Sequence, residues 1–247
     1  PANLEEQPAD HEVRFDFESG DLQGWMVVEG KFDKFVCDRA TFHHGNKPYN
    51  KRGKYFLSTL EQKNSRPSDR FTGVAESPVF VLKGPEVSLL VGGGKHGNTY
   101  VALCTLDGKE RLKARGANAQ FMQSIAWLAP QLVGKKVFLR IVDRHTGGWG
   151  HVTLDHFVAK GTLDPEATRQ RFAGIETRRL KQQLQDMLKQ MNLKALRLAI
   201  EDLARTYPTK YSRSKELLAK LARFENLSPE LNRIASGGTN KTKLASD

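Results

Sequence analysis

Two glycine-rich stretches gather the residues that could do chemistry: GGGKHGN, Gly92 to Asn98, and HTGGWGH, His145 to His151. In and beside them, Lys95, His96, Arg144, Trp149 and His151 offer hydrogen-bonding groups and one indole face, with Tyr55 as a more remote contributor. An indole flanked by glycines can turn its face to the apolar side of a sugar ring while neighbouring side chains bond the hydroxyls. The structural alternatives are concrete. Glycine lets backbones cross closely, and Trp149 could fold back as a plug over the end of a sheet, since tryptophan is highly buried on average. A second set is acidic. Glu18 and Asp155 supply the hard oxygen ligands that calcium takes, with Asp16 and Asp21 as assistants, or else they are ordinary solvated carboxylates.

Other chemistries lack their signatures. A phosphate-cradling loop needs Ser or Thr after its lysine and then a helix, whereas Tyr100 and a strand-like run follow Lys95. His43 and His44 are adjacent and would point to opposite faces of a strand. The spacing of His145, His151 and His156 gives no ready chelate. No Gly-x-Ser-x-Gly elbow occurs, and Cys37 and Cys104 sit in strand-like runs without an evident base. Nothing indicates paired carboxylates for glycoside cleavage. Asp143 and Arg144 read as an exposed ion pair of little energetic weight.

The elements that must position these residues change character near Gly161. Before it, VRFDF, WMVVEGKF, KFVCDRATF, KYFLSTL, SPVFVL, EVSLLVG, TYVALCTL, KVFLRIVD and HVTLDHFVA recur between turn signals, the pattern of an antiparallel sandwich. Asp107-Gly108 predicts a two-residue hairpin turn. After Gly161 the period becomes helical. Asp164-Pro165 is an N-cap and first helical position, followed by Phe172, Ile175, Leu180, Leu184, Met187 and Met191 as an apolar stripe. Leu193 to Tyr207, Ser212 to Glu225 and Ser228 to Gly237 predict three further helices. The expected division is an extension at 1–11, a sandwich at 12–162, a helical connector at 163–236 and a structureless tail at 237–247. The connector reads as intramolecular packing, because heptads are not sustained; a docking surface is the other reading.

A chain of 247 residues, 38% hydrophobic and 27% charged, is globular in composition. No apolar run approaches the length of a membrane span. The opening PANLEEQPADHE is neither a signal sequence nor an initiator, so a piece of a longer protein is expected. The net charge is +11; residues 163–247 contribute +7 of it, with 17 Lys+Arg against 10 Asp+Glu. That distribution, with no aromatic-interleaved basic patch, argues against specific nucleic-acid readout, while weak attraction to acidic polysaccharides fits it. Two cysteines are too few for a disulfide framework and leave both pairing and separate burial open.

FDFESGDLQGW, GKYFLSTL, GVAESPVFVL, LLVGGG, LDGKE, LVGKKVFLRIVD and GGWGHVTLDHF, over residues 12–160, resemble the non-catalytic sandwich module beside levanase-type fructan hydrolases, which also occurs in large planctomycete-type proteins. The resemblance implies a galactose-binding-like jelly roll that binds carbohydrate, with a structural calcium between Glu18 and Asp155. The expectation is therefore a mainly β, antiparallel jelly-roll β-sandwich followed by a small α-helical region. It would bind polysaccharide or glycan at the glycine-rich rim of a larger extracytoplasmic protein, beside neighbouring domains. The alternative is a module that positions those domains and binds no glycan.

Overall fold

Apolar and β-branched runs between turn signals dictate strands, and the computed structural model forms them between Glu12 and Leu163, some burying one face and others both. The structure describes residues 12–41, 49–190, 197–198, 200–202, 205, 216, 218–223 and 229. The chain divides into two compact units, Pro1–Phe172 and Ala173–Asp247. The described part of the first holds β1 (Glu12–Phe15), β2 (Met26–Gly30), β3 (Val36–Cys37), β4 (Phe56–Ser58), β5 (Gly73–Glu76), β6 (Phe80–Gly93), β7 (Thr99–Thr105), β8 (Glu110–Ala114), β9 (Ala119–Leu128), β10 (Lys136–Asp143) and β11 (Val152–Leu163). Helix α1 (Pro165–Gln190) begins in the first unit and runs on into the second.

All pairings are antiparallel, and one continuous sheet curls into two layers. One layer runs β2-β5-β10-β7-β8. The other runs β9-β6-β11, with β1 and β4 along the far side of β11 and β3 beyond β4. They join where the first residues of β6 also pair with β10, Phe80 opposite Val137 and Val81 opposite Lys136. Residues of one parity point inward: Val87, Leu89 and Val91, Val101 and Leu103, and Val137, Leu139 and Ile141 fall in one buried cluster, as a sandwich core requires. Phe15 stacks on Phe157 at 5.7 Å and meets Trp25 edge-on at 5.8 Å, contacts that add about 0.5–1.5 kcal/mol each to the burial of the rings.

The opposite parity forms two smaller clusters. Cys37, Ala40, Tyr49, Phe56, Leu90 and Met122 make one; Val79, Ala102, Cys104 and Phe138 make the other, with Ala167 of α1 packed on them. Both cysteines are free and buried, in separate clusters. Burial pushes the Cys104 thiol up to about 12 and raises that of Cys37 as well, so neither is a ready nucleophile.

Several expectations are corrected. SPVFVL and EVSLLVG are one strand, β6, that carries Pro85 inside it. GVAE and AQFMQSIAWL, which showed no clean alternation, form β5 and β9. The hairpin loop has three residues: Gly108 N–H donates to Thr105 O at 2.7 Å, and Thr105 N–H to Lys109 O at 3.0 Å. Gly108 at φ +85° supplies the left-handed position of that turn. The N-cap forms as expected, Asp164 Oδ1 accepting the Ala167 N–H at 2.9 Å. On α1, Ile175 is buried but Leu180 is 64% exposed; five residues carry it about 140° round the helix from Ile175. The extension at 1–11, His43, His44, Met191, Leu193, Leu196, Leu203, Tyr207, Pro208, Phe224 and the tail lie outside the described residues, as do the side chains of Leu184, Met187 and Leu217.

Candidate functional site

Antiparallel register decides which loops meet. Gly93 ends β6 opposite Val152 at the start of β11 and Ala119 at the start of β9; Asp143 ends β10 opposite Thr99, which starts β7, and Gly73, which starts β5. The connections 94–98, 115–118 and 144–151 therefore share one end of the sandwich with the segment between β4 and β5. They are tied by backbone. Gly94 N–H donates to His151 O at 2.8 Å, Asn118 N–H to Gly93 O at 3.0 Å, and Arg144 N–H to Asn98 O at 3.0 Å. Lys95 N–H donates to Asn118 Oδ1 and Asn98 Nδ2 to Arg144 O, each at 2.8 Å. The approach at Gly94 is so close that a Cβ there would lie 1.8 Å from the Trp149 carbonyl oxygen. Gly93 and Gly94 of GGGKHGN thus serve the close backbone crossing, whereas Gly97 faces open space.

Lys95, His96, Arg144, Trp149 and His151 are gathered on these loops. The His96 and His145 rings stack with centroids 3.7 Å apart. His96 Nε2 lies 3.1 Å from Gly148 O; a carbonyl can only accept, so Nε2 carries the proton. Trp149 is half-buried with φ +63°, and its ring sits 5.8 Å from that of His151. A bulky residue in the left-handed region is an outlier that costs of order 1–3 kcal/mol and clusters at ligand sites. Tyr55 is not part of this group: its N–H donates to Glu18 Oε1 at 2.9 Å, and Lys54 Nζ lies over its ring.

Beneath the loops lies a polar layer that the sequence did not announce. His151 is 2% exposed and donates from Nδ1 to Asp69 Oδ1 at 2.8 Å, leaving Nε2 buried without a partner. Asp143 is fully buried, accepts the His145 N–H through Oδ1 at 3.3 Å, and has no partner at Oδ2. Burial pushes its carboxyl up to about 7; the Thr59 hydroxyl and the His145 N–H oppose the rise and the charge of Asp69 adds to it. The expected Asp143–Arg144 ion pair is therefore corrected, since Asp143 is inward and Arg144 reaches Glu29 Oε2 at 2.5 Å on the surface. One signal was available: Asp143 continues the inward parity of Val137, Leu139 and Ile141.

The acidic pair forms a separate neighbourhood. Glu18 lies just past the end of β1 and accepts N–H groups from Lys54 and Tyr55 at 2.9 Å. Asp155, fully buried on β11, accepts from Arg52 N–H at 2.7 Å and His156 N–H at 2.6 Å. Burial pushes Asp155 up to about 7, and the charge of Glu18 adds to the rise. Both carboxylates thus bind the same segment, 52–55. Its carbonyls at Gly53 and Lys54 accept the Lys51 ammonium at 2.6 and 2.8 Å. The oxygen-only donor set suits calcium, with Lys51 competing for two of its carbonyls. Asp16 and Asp21 are engaged locally, on Gln23, the Glu18 N–H and Ser19. Among the described residues no three His, Cys, Asp or Glu side chains group to hold a metal. His156 faces Arg52 at 2.6 Å. Burial, then Arg52, lowers its pKa.

An open groove of about 480 Å³ lies on the β9-β6-β11 face, walled by Glu86, Ser88, Trp127, Leu128, Val158 and Lys160. No buried unpartnered polar atom lines it; His151 and Asp143 bring theirs to the loop end.

No family model matches the chain. Over 158 residues it is 25% identical to an Aspergillus rugulosus protein bearing the name glycosyl hydrolase ecdE, a match covering 63% of this chain and 22% of that one. The chain thus spans about a fifth of that relative's length. Among solved structures, the module TmCBM61 in complex with beta-1,4-galactotriose is similar at 18% identity and a TM-score of 0.36, covering 60% of this chain and 93% of that one. A family 35 carbohydrate binding module from Clostridium thermocellum is similar at 11% identity and a TM-score of 0.32, covering 60% and 96%.

Proposed function

We propose that residues 12–163 act as a non-catalytic, glycan-binding module of a larger, extracytoplasmic protein, with the sugar held at the loop end. The observation that carries this reading is Trp149: a half-exposed indole held between two glycines in a left-handed backbone, directly beside a buried imidazole with a free Nε2. The indole offers an apolar platform for a sugar ring. Beneath it His151 is held by Asp69 through Nδ1, with Nε2 buried, so the sugar hydroxyls fall to the exposed polar groups of the loop rim. A hydrolytic reading is less well supported, because a His–Asp pair needs a nucleophile hydroxyl or thiol at Nε2, and among the described residues none bonds there. No described helix is long and apolar enough to cross a membrane.

Calorimetry against a panel of neutral and acidic polysaccharides tests the proposal. Trp149→Ala is expected to weaken binding at least tenfold, about 1.4 kcal/mol, while the melting temperature holds. Undiminished binding in that variant would remove the indole from the site and the reading with it.

A structural calcium held by Glu18, Asp155 and the carbonyls of Gly53 and Lys54 is the second part of the proposal. Saturating calcium at about 100 times Kd stabilises by about 2.7 kcal/mol, a rise in Tm of roughly 5–10 °C for a chain of this size. Lys51→Met, which frees the two carbonyls, should enlarge the rise. Unchanged melting with calcium and with chelator, together with no metal by elemental analysis, would dispose of the ion.

A further inference from the structure

We infer that the glycan taken at the loop end is anionic, a chain bearing carboxylate or sulfate groups; the inference rests on the glycan-binding reading of the same loops. Residues 94–98, 115–118 and 144–150 include Lys95, Arg115 and Arg144 and contain no Asp or Glu. The backbone bonds described above fix these three loops side by side, so their cations share one surface. Lys95 and Arg115 are exposed, and neither has a carboxylate partner among the described residues. Arg144 is held by Glu29, but both side chains are more than half exposed, and such a pair is worth little and exchanges readily for another anion. Of the other carboxylates set against the loops, Asp69 is bonded to His151, with its side chain 21% exposed, and Asp143 is fully buried.

This is a local imbalance and not a reflection of the overall charge, most of which belongs to residues 163–247. Uncompensated cations around an apolar platform fit a sugar that presents a ring face to Trp149 and an anionic group to Lys95 or Arg115. Guanidinium and ammonium groups recognise carboxylate and sulfate oxygens through charge-assisted hydrogen bonds. His145, stacked on His96 in the same loops, adds an N–H donor without adding a negative charge, the His96 Nε2–H being taken by Gly148 O.

The test compares matched polymers by calorimetry: polygalacturonate against its methyl ester, and sulfated against desulfated carrageenan. The first pair reads carboxylate and the second sulfate. The anionic member of at least one pair should bind tenfold or more tighter than its neutral partner, and its affinity should fall as salt rises from 50 to 500 mM. Lys95→Ala with Arg115→Ala should remove most of that preference while leaving the melting temperature in place, since both side chains are exposed. Equal, salt-insensitive binding of charged and neutral members overturns this inference and leaves the glycan reading standing. Failure to bind any of the four polymers, or any member of a wider neutral panel, takes down the glycan reading itself. Random-sequence DNA bound as tightly as the anionic polysaccharide also overturns it, because that result is adhesion to any polyanion.

Discussion

Replacing Glu76 with alanine is expected to cost about 3–5 kcal/mol and to lower the melting temperature by roughly 10 °C. Glu76 is 2% exposed on β5 and is shared by two arginines: Arg140 of β10 at 2.8 and 3.0 Å and Arg171 of α1 at 2.7 and 3.0 Å. Phe138 lies against both guanidinium groups, with its ring centroid 3.7 Å from Arg171 and 5.4 Å from Arg140. Glu110 completes the network, accepting from Arg140 at 3.2 Å and from the Tyr100 hydroxyl at 3.1 Å. Lys113 also pairs with Glu110, at 2.6 Å; without Glu76, two mostly buried guanidinium groups and this ammonium face one carboxylate. The loss comes mainly from stranding charge, so a triple variant with Glu76, Arg140 and Arg171 all apolar should recover most of the stability. Thermal unfolding of the single and triple variants decides the point. A triple variant as unstable as Glu76→Ala would mean that the ion network itself stabilises the fold.

The second large effect is a pH dependence centred on Asp143. In the unfolded chain this carboxyl titrates near 3.9, and in the fold burial carries it to about 7. The folded state therefore holds a proton that the unfolded state has released, and stability falls as pH rises from about 4 to about 7. A three-unit difference corresponds to at most ~4 kcal/mol. Asp143→Asn keeps an acceptor for the His145 N–H and removes the ionisation, so the variant should be the more stable protein at pH 8 by a sizeable part of that figure. The two proteins should converge at pH 4. Denaturant midpoints across that range measure it, and parallel profiles would show that Asp143 is ionised in the fold at no cost. Asp155 contributes a slope of the same sign in both proteins.

The legible and illegible parts of the chain separate along physical lines. KVFLRIVD and TYVALCT are buried on both faces, one parity in the sandwich core and the other in an outer cluster, and are legible as strands from their apolar, β-branched runs between turn signals. AQFMQSIAWL mixes apolar and polar residues, because β9 has β6 as its one strand partner among the described residues and leaves Phe121 and Leu128 more than half exposed. The join between layers was also hidden: Lys83-Gly84-Pro85 reads as a turn, yet β6 runs through it. At the loop end, glycine and tryptophan marked the segments that meet. Asp69 carried no mark, since its partner His151 is 82 residues away and the loop containing it has no motif. Lys51 was passed over for the same reason, as its ammonium bonds main-chain oxygens that no sequence pattern reveals.

The seat of the Trp149 loop has a consequence for how such a scaffold can diversify. At Gly93 and Gly94 an added Cβ would come within 2.4 and 1.8 Å of His151 O and Trp149 O, so the crossing depends on main chain meeting main chain. Side chains at Lys95, Arg115, Arg144 and Thr146 take no part in that contact. Selection, or a library confined to those four codons, can rewrite what the rim recognises without disturbing how the rim is mounted, whereas a single methyl group at Gly94 would unseat it.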